Sequence, residues 1–300
     1  MLAVMFKPFA FITTTLFMAF PVQAETKNSS ITPKANPLGV FEFDFQRLGK
    51  SPQTQVQALK KIGFTGATLT FHGDRKKVDA KFAAFRKEIK AGKFQVYAAH
   101  YPIKIGKNNK AATEKRVTWA IDKAKSVGAD FWLILRAEDG HKVPRAKLLS
   151  TVNMVADICA QKKVPCIIYP HDMTLIESAE EAIALVKQSK RNDLFISLHL
   201  CHEIRAGNGE RLTEVAQKVK PYLRLASISG ADVKYVDNSK DWSKTIQPLD
   251  MGTYDLSKFI KALQAVNYKG PVILHTFGLQ KVKADHHERS YAKYQELFSK

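Results

Sequence analysis

An alternation of two residue patterns constrains this chain more than any other feature. Short runs rich in β-branched and aromatic residues recur at 40–45, 67–71, 94–98, 131–135, 166–169, 195–200, 223–228 and 272–275, with amphipathic helical patterns between them. Val117, Ala120, Ile121 and Ala124 keep the i, i+3, i+4, i+7 spacing of a helix with one apolar face, and Val152, Val155, Ala156 and Cys159 repeat it. Leu212, Val215, Ala216 and Val219 do the same, as do Leu256, Phe259, Ile260 and Leu263; the tail sets Tyr291, Tyr294 and Leu297 on one side. Gly63, Gly128 and Gly270 stand where a helix must stop before the next strand. Strands that alternate with helices need crossover connections, and so a parallel sheet. Eight such units over 39–300 predict an α/β chain folded as a single (β/α)8 TIM barrel domain. An open doubly wound sheet is disfavoured, because no Gly-rich phosphate fingerprint follows the first strand.

The ends and the charge set the expected compartment and partners. Residues 1–24 place Lys7 ahead of an apolar stretch from Phe9 to Phe20, then Val22-Gln23-Ala24, the order of a signal peptide cleaved after Ala24. The stretch is short for a bilayer span, so export to the periplasm or medium is expected, without a stable membrane anchor. Residues 25–38 lack periodicity and read as a flexible leader. The 47 Lys and Arg against 28 Asp and Glu give a net charge of +19, but the lysines are spread over nearly every helix, as on solvated faces. No basic stripe is interleaved with aromatics, so nucleic acid is not expected as a partner. Cys159, Cys166 and Cys201 form no spaced pairs, and free buried thiols are expected.

The histidines point to the function. Of nine, six fall at predicted strand ends: His72, His100, His171, His199, His202 and His275. His141, His286 and His287 lie elsewhere. All strands of such a barrel end on one face, where active sites of this fold lie, so a strand-end pattern in sequence predicts a cluster in space. A lone histidine beside a strand is more often a core residue; six in register argue for a shared site. Imidazoles there can bind a divalent metal or exchange protons near neutral pH. Carboxylates near the same face are fewer, and Glu138 and Asp172, just past strand ends, are the ones placed to act with them. The irregular stretch 231–251 follows the seventh strand, where active-site loops are expected.

Several short segments resemble the xylose-isomerase-like barrel superfamily of sugar phosphate isomerases, epimerases and apurinic-site endonucleases. Ala98-Ala99-His100-Tyr101-Pro102 resembles its third-strand histidine motif, and Ile196-Ser197-Leu198-His199-Leu200-Cys201-His202 its sixth-strand Asp-x-x-His, with His199 in the Asp position. Leu249-Asp250-Met251-Gly252-Thr253-Tyr254-Asp255 resembles the Gly-x-x-Asp before the last helix, and Asn267-Tyr268-Lys269-Gly270-Pro271 the lead into the final strand. Tyr169-Pro170-His171 and Leu200-Cys201-His202 resemble motifs of an exported branch found beside sugar-degrading enzymes. The resemblance implies one divalent metal held by Glu, Asp, His and Glu at the ends of strands five to eight. The matching positions here are Tyr169, His199, Ser227 and His275, and none keeps the expected type. Replacing carboxylates by imidazoles disfavours magnesium and favours zinc, manganese or a similar ion.

Two site arrangements follow. In one, His199, His202 and His275 hold a metal that polarises a sugar carbonyl, and His171, His275, Glu138 or Tyr169 moves the adjacent proton. In the other no metal is bound and the histidines act directly. His72, His100, Asp172 and Ser227 are assigned to substrate binding in either case. The expected activity is isomerisation, epimerisation or lyase chemistry on a non-phosphorylated or keto sugar. The alternatives are a carbohydrate-binding barrel without catalysis and, against the expected export, an endonuclease.

Overall fold

The computed structural model describes residues 35–92, 94–107, 110–234 and 241–299. The predicted signal segment, and most of the predicted leader, lie outside the described residues. Eight parallel strands, β1 (Leu38–Phe41), β2 (Gly66–Thr70), β3 (Gln95–Ile105), β4 (Asp130–Ala137), β5 (Cys166–Ile168), β6 (Leu194–His199), β7 (Leu223–Ile228) and β8 (Val272–Leu274), form a closed barrel in sequence order. Around it run α1 (Pro52–Ile62), α2 (Arg75–Ala91), α3 (Lys110–Ser126), α4 (Arg145–Lys162), α5 (Ala179–Ser189), α6 (Leu200–Arg205), α7 (Leu212–Val219), α8 (Ser257–Ala265) and α9 (His286–Ser299). Closure is made by β1 pairing with β8, Val40 opposite Leu274. Among the described residues, no helix is long and apolar enough to cross a membrane.

The amphipathic patterns decide which face of each helix turns inward. The four-residue sets predicted on α3, α4, α7 and α8 are all buried, in the layer between strands and helices. A smaller core fills the barrel itself: Phe41, Ala98, Trp132, Ile134, Ile167, Tyr169, Leu225 and Ile273. Trp132 is tolerated there because its indole N–H donates to Ser197 Oγ at 2.9 Å. Gly63 ends α1 with φ 119°, a backbone that a side chain would strain. At the end of α8 the left-handed residue is Asn267 (φ 56°), not the predicted Gly270.

Two departures from the sequence reading move site residues. The first strand is Leu38–Phe41, and residues expected to extend it form a 3-10 turn, Glu42–Arg47. The leader therefore stops short of Leu38, which is buried, and Asn36 is already anchored through its amide to the Tyr268 and Gly270 carbonyls, both at 2.9 Å. The other departure is the length of β3 and β4. β2 leaves β3 at His100, but β3 continues along β4 until Ile105 pairs with Ala137. Pro102 is accommodated because that side of β3 is by then a free edge that needs no donor.

Candidate active site at the barrel mouth

The six strand-end histidines meet at the carboxyl ends of the strands. His72 and His100 have ring centroids 6.2 Å apart, and His100 lies 5.6 Å from Tyr169. Tyr169 is 5.5 Å from His171, which is 4.1 Å from His202. His202 is 4.4 Å from His199, and His199 is 4.9 Å from His275. Phe43 closes the circuit, 5.6 Å from His275 and 5.7 Å from His72. His100, His199, His202 and His275 are buried, His171 is half-buried, and His72 is exposed at the rim.

Hydrogen bonds to the backbone fix where several protons sit, because a peptide N–H only donates and a carbonyl only accepts. His171 Nδ1 is 2.6 Å from the Asp172 carbonyl, so Nδ1 carries the proton and Nε2 keeps its lone pair. His275 Nδ1 accepts from the Phe277 N–H at 3.1 Å, so its proton sits on Nε2. His202 Nδ1 likewise accepts from the Asp172 N–H at 3.3 Å, which leaves its Nε2–H to donate to Tyr169 Oη, also at 3.3 Å. Burial, reinforced by neighbouring cations and other rings, keeps these imidazoles neutral: His171 is pushed down to about 4 and His275 to about 3. His100, His199 and His202 are held well below the ordinary value for the same reason. Burial holds the Tyr169 phenol well above its ordinary value, so it keeps its proton. Both ring nitrogens of His100 lack a hydrogen-bond partner among the described residues.

The carboxylates behave otherwise than expected. Glu138 does not join the cluster. It lies six residues beyond Trp132, which pairs with His100, or about 20 Å further along the β4 direction. Its Oε2 accepts the Lys107 N–H at 2.7 Å. The long β3–β4 pair is what carries it away. Asp172 does lie at the mouth, but its Oδ2 takes Arg205 Nε at 2.6 Å in a buried ion pair. Its backbone, rather than its carboxylate, orients His171 and His202. Ser227 is fully buried and donates to the Ile273 carbonyl at 3.0 Å, inside the barrel wall.

Sequence reading missed the aromatic frame. Tyr169 is stacked between Trp132 at 4.1 Å and His199 at 5.0 Å. Trp242, from the loop after β7, packs 5.5 Å from His171 and 5.4 Å from His202, and the Arg205 guanidinium lies over the Trp242 ring at 4.2 Å. Its position in the irregular stretch 231–251 was the available signal; residues 235–240 of that stretch lie outside the described residues. A groove of about 480 Å³ beside the histidines is lined by Trp242, Ile246, Met251, Phe277 and Leu279.

The mouth contains donors of the right kind and spacing for an ion: one ligating atom each from His199, Cys201, His202 and His275 lies within 4.8 Å of the others. Their proton placement does not match. The Nδ1 lone pairs of His202 and His275 are taken by peptide N–H groups and their Nε2 atoms carry protons, so as hydrogen-bonded neither ring offers a free lone pair. Burial also pushes the Cys201 thiol up, away from the thiolate that binds metals.

Barrel and mouth together define the class: a parallel eightfold barrel with its titratable groups gathered at the strand ends. The chain belongs to the xylose isomerase-like TIM barrel family, whose model matches residues 56–298. No curated protein matches it in sequence. Among solved structures it is similar to a xylose isomerase domain-containing protein from Salmonella typhimurium (TM-score 0.73, 14% identity, 88% of this chain and 98% of that one). It is also similar to a 3-keto-D-glucoside 4-epimerase from E. coli (0.66, 16%, 87% and 99%). A third similar structure is the IolI protein with a bound zinc atom (0.67, 12%, 88% and 98%). At these identities the likeness is one of fold.

Proposed function

We propose that this protein is an exported enzyme that shifts a proton beside the carbonyl of a non-phosphorylated sugar, giving isomerisation, epimerisation or elimination. The observation that carries the reading is the opposed proton placement of His171 and His275. His171 offers a lone pair at Nε2 and can take the proton next to the carbonyl. His275 offers Nε2–H and can donate to the carbonyl oxygen as negative charge develops there; a neutral imidazole suits that electrophilic task. Tyr169, which accepts from His202, keeps its own O–H to donate to the same oxygen. His100, with both nitrogens unpartnered, is an open position for a sugar hydroxyl, and His72 stands at the rim. The aromatic faces of Phe43, Trp242 and Phe277 suit the apolar face of a sugar ring. The sugar epimerases among the structural neighbours, including a D-allulose 3-epimerase from Methylomonas sp., support the substrate class. Returning the proton to the other carbon isomerises, returning it to the other face epimerises, and loss of a neighbouring leaving group eliminates.

The closeness of the four ligating atoms favours a second reading. If the His202 and His275 rings leave their peptide partners, His199, His202 and His275 would hold a zinc- or manganese-like ion whose chemistry is polarisation of the sugar carbonyl. Both readings are tested by following deuterium uptake from D2O into keto sugars and keto-glycosides by NMR. Exchange that disappears in His171→Ala supports the enzyme. Sugar binding without exchange would leave a carbohydrate-binding barrel, a reading favoured by the absence, among the described residues, of a free carboxylate in the ring cluster.

A further inference from the structure

A second buried group lies away from the mouth and plays no part in the proposed reaction. Asp44 sits in the 3-10 turn after β1, and His286 and His287 open α9. All three side chains have 0% exposure. His286 Nε2 is 2.6 Å from Asp44 Oδ2, His287 Nε2 is 3.3 Å from Asp44 Oδ1, and the two imidazoles stack at 4.0 Å. Among the described residues, neither ring nitrogen of His287 has a hydrogen-bond partner, nor do His286 Nδ1 and Asp44 Oδ1. A neutral imidazole carries one N–H and one lone pair, so His287 buries both without satisfaction. Each such group costs roughly 1–3 kcal/mol, and folded proteins keep few of them without a water or an ion to explain them.

We propose that Asp44, His286 and His287 hold a divalent late transition-metal ion, zinc by the chemistry of the donors, which clamps the exit of the first strand to the start of the last helix. One ligating atom from each residue lies within 4.8 Å of the other two. Two ligands on tetrahedral zinc with bonds of 2.0–2.1 Å stand about 3.3 Å apart; the Asp44–His287 spacing is 3.3 Å, and the 2.6 Å between Asp44 and His286 would have to open to admit the ion. Two imidazoles and one carboxylate suit zinc and its neighbours far better than magnesium. Total burial marks a structural ion captured during folding, not one that exchanges substrate.

The surrounding bonds hold the same seam without help from the ion. Arg47 Nη1 donates to the carbonyls of Leu279, Gln280 and Val282 at 3.1, 3.0 and 2.6 Å, and Thr276 Oγ1 donates to the Phe41 carbonyl at 2.7 Å. The ligands are therefore brought together by the fold. An ion joining residues 242 positions apart then closes a loop spanning nearly the whole barrel and removes conformational freedom from the unfolded chain.

The test measures zinc by mass spectrometry in the purified protein, in a mouth double variant (His199→Ala/His202→Ala), and in Asp44→Asn and His286→Ala/His287→Ala. About one equivalent in the first two, and less than a tenth of that in the seam variants, is expected. Chelation of the unaltered protein should lower Tm by roughly 10 °C, reversed by added zinc chloride. Because that arm needs no substitution, it stands even where a seam variant fails to fold. Loss of zinc from the mouth variant with retention in the seam variants overturns the assignment. So does an unaltered protein that is free of zinc and whose Tm responds to neither chelator nor zinc; the three residues are then a hydrogen-bonded group only.

Discussion

Four of the histidines at the mouth and both of those at the seam between β1 and α9 are buried, yet their nitrogens face different partners. At the mouth, peptide groups at Asp172 and Phe277 dictate the proton position on His171, His202 and His275. At the seam, three of the four ring nitrogens of His286 and His287 make no hydrogen bond among the described residues, His287 Nε2 standing 3.3 Å from the buried carboxylate that bonds the remaining one. Fixed tautomers with neutral rings suit proton transfer; unclaimed nitrogens around an anion suit a cation. Residue type is the same in both places, and the backbone around it decides the chemistry.

The comparison breaks most readily at His171. Replacing it by Ala should lower kcat/KM for sugar proton exchange by roughly 10²–10⁴-fold, the range for losing a general base. The urea midpoint should move little, because the ring is only half-buried. His287→Ala should do the reverse, leaving exchange per folded molecule unchanged while lowering the midpoint. A seam variant that loses exchange without losing stability would join the two regions into one functional unit.

Stability separates them next. His286→Ala removes the 2.6 Å partner of a fully buried carboxylate, and breaking such a buried pair from one side costs about 3–5 kcal/mol. The matching mouth change, His202→Ala, frees only the Asp172 N–H and the Tyr169 hydroxyl from bonds of 3.3 Å, and should cost about 1–3 kcal/mol from those groups. Denaturant unfolding of both variants measures the difference, and equal costs would remove the distinction drawn from their partners.

The pH dependence sharpens the mouth side. His171 acts only when unprotonated and is held at about 4, so kcat/KM should stay level down to roughly pH 5 and fall below about pH 4. An imidazole in water would already lose activity below pH 6.5. The same shift acts on stability with a definite sign. Above pH 6.5 these rings are neutral in both the folded and the unfolded chain, and their contribution is complete. As pH falls from 6.5 toward 4, the unfolded chain takes up protons that the folded one refuses, so stability declines. His199→Gln should flatten that decline in a urea-midpoint series; an unchanged slope would mean the mouth is wetter than its burial indicates.

The eightfold alternation and the strand-end histidines were legible because both are local patterns: each strand lies near its predicted place, and all six histidines converge. What the sequence did not reveal depends on partners distant along the chain. Asp44 reads as a strand residue and His286 and His287 as outliers until the barrel closes and brings them together across 242 positions. Glu138 has the right residue type just past a strand, but strand length is set by how far β3 and β4 stay paired beyond the end of β2, which no periodicity in β4 announces. Asp172 and Ser227 were correctly located near strand ends; that Arg205 and the Ile273 carbonyl already occupy them is a matter of packing.

The smallest effect is the most discriminating within the mouth. Tyr169→Phe keeps the stack between Trp132 and His199 and removes only the hydroxyl that accepts from His202 at 3.3 Å, so stability should change by no more than about 1 kcal/mol. A hydroxyl that donates to the sugar carbonyl gains strength as charge develops on the oxygen, and its loss should lower kcat about tenfold with KM nearly unchanged. A rise in KM at constant kcat would make Tyr169 a binding group and leave the proton shift to His171 and His275 alone. The seam offers no counterpart to this split, since Asp44, His286 and His287 do not line the groove: a substitution at any of the three should scale the amount of folded enzyme and leave both constants as they were.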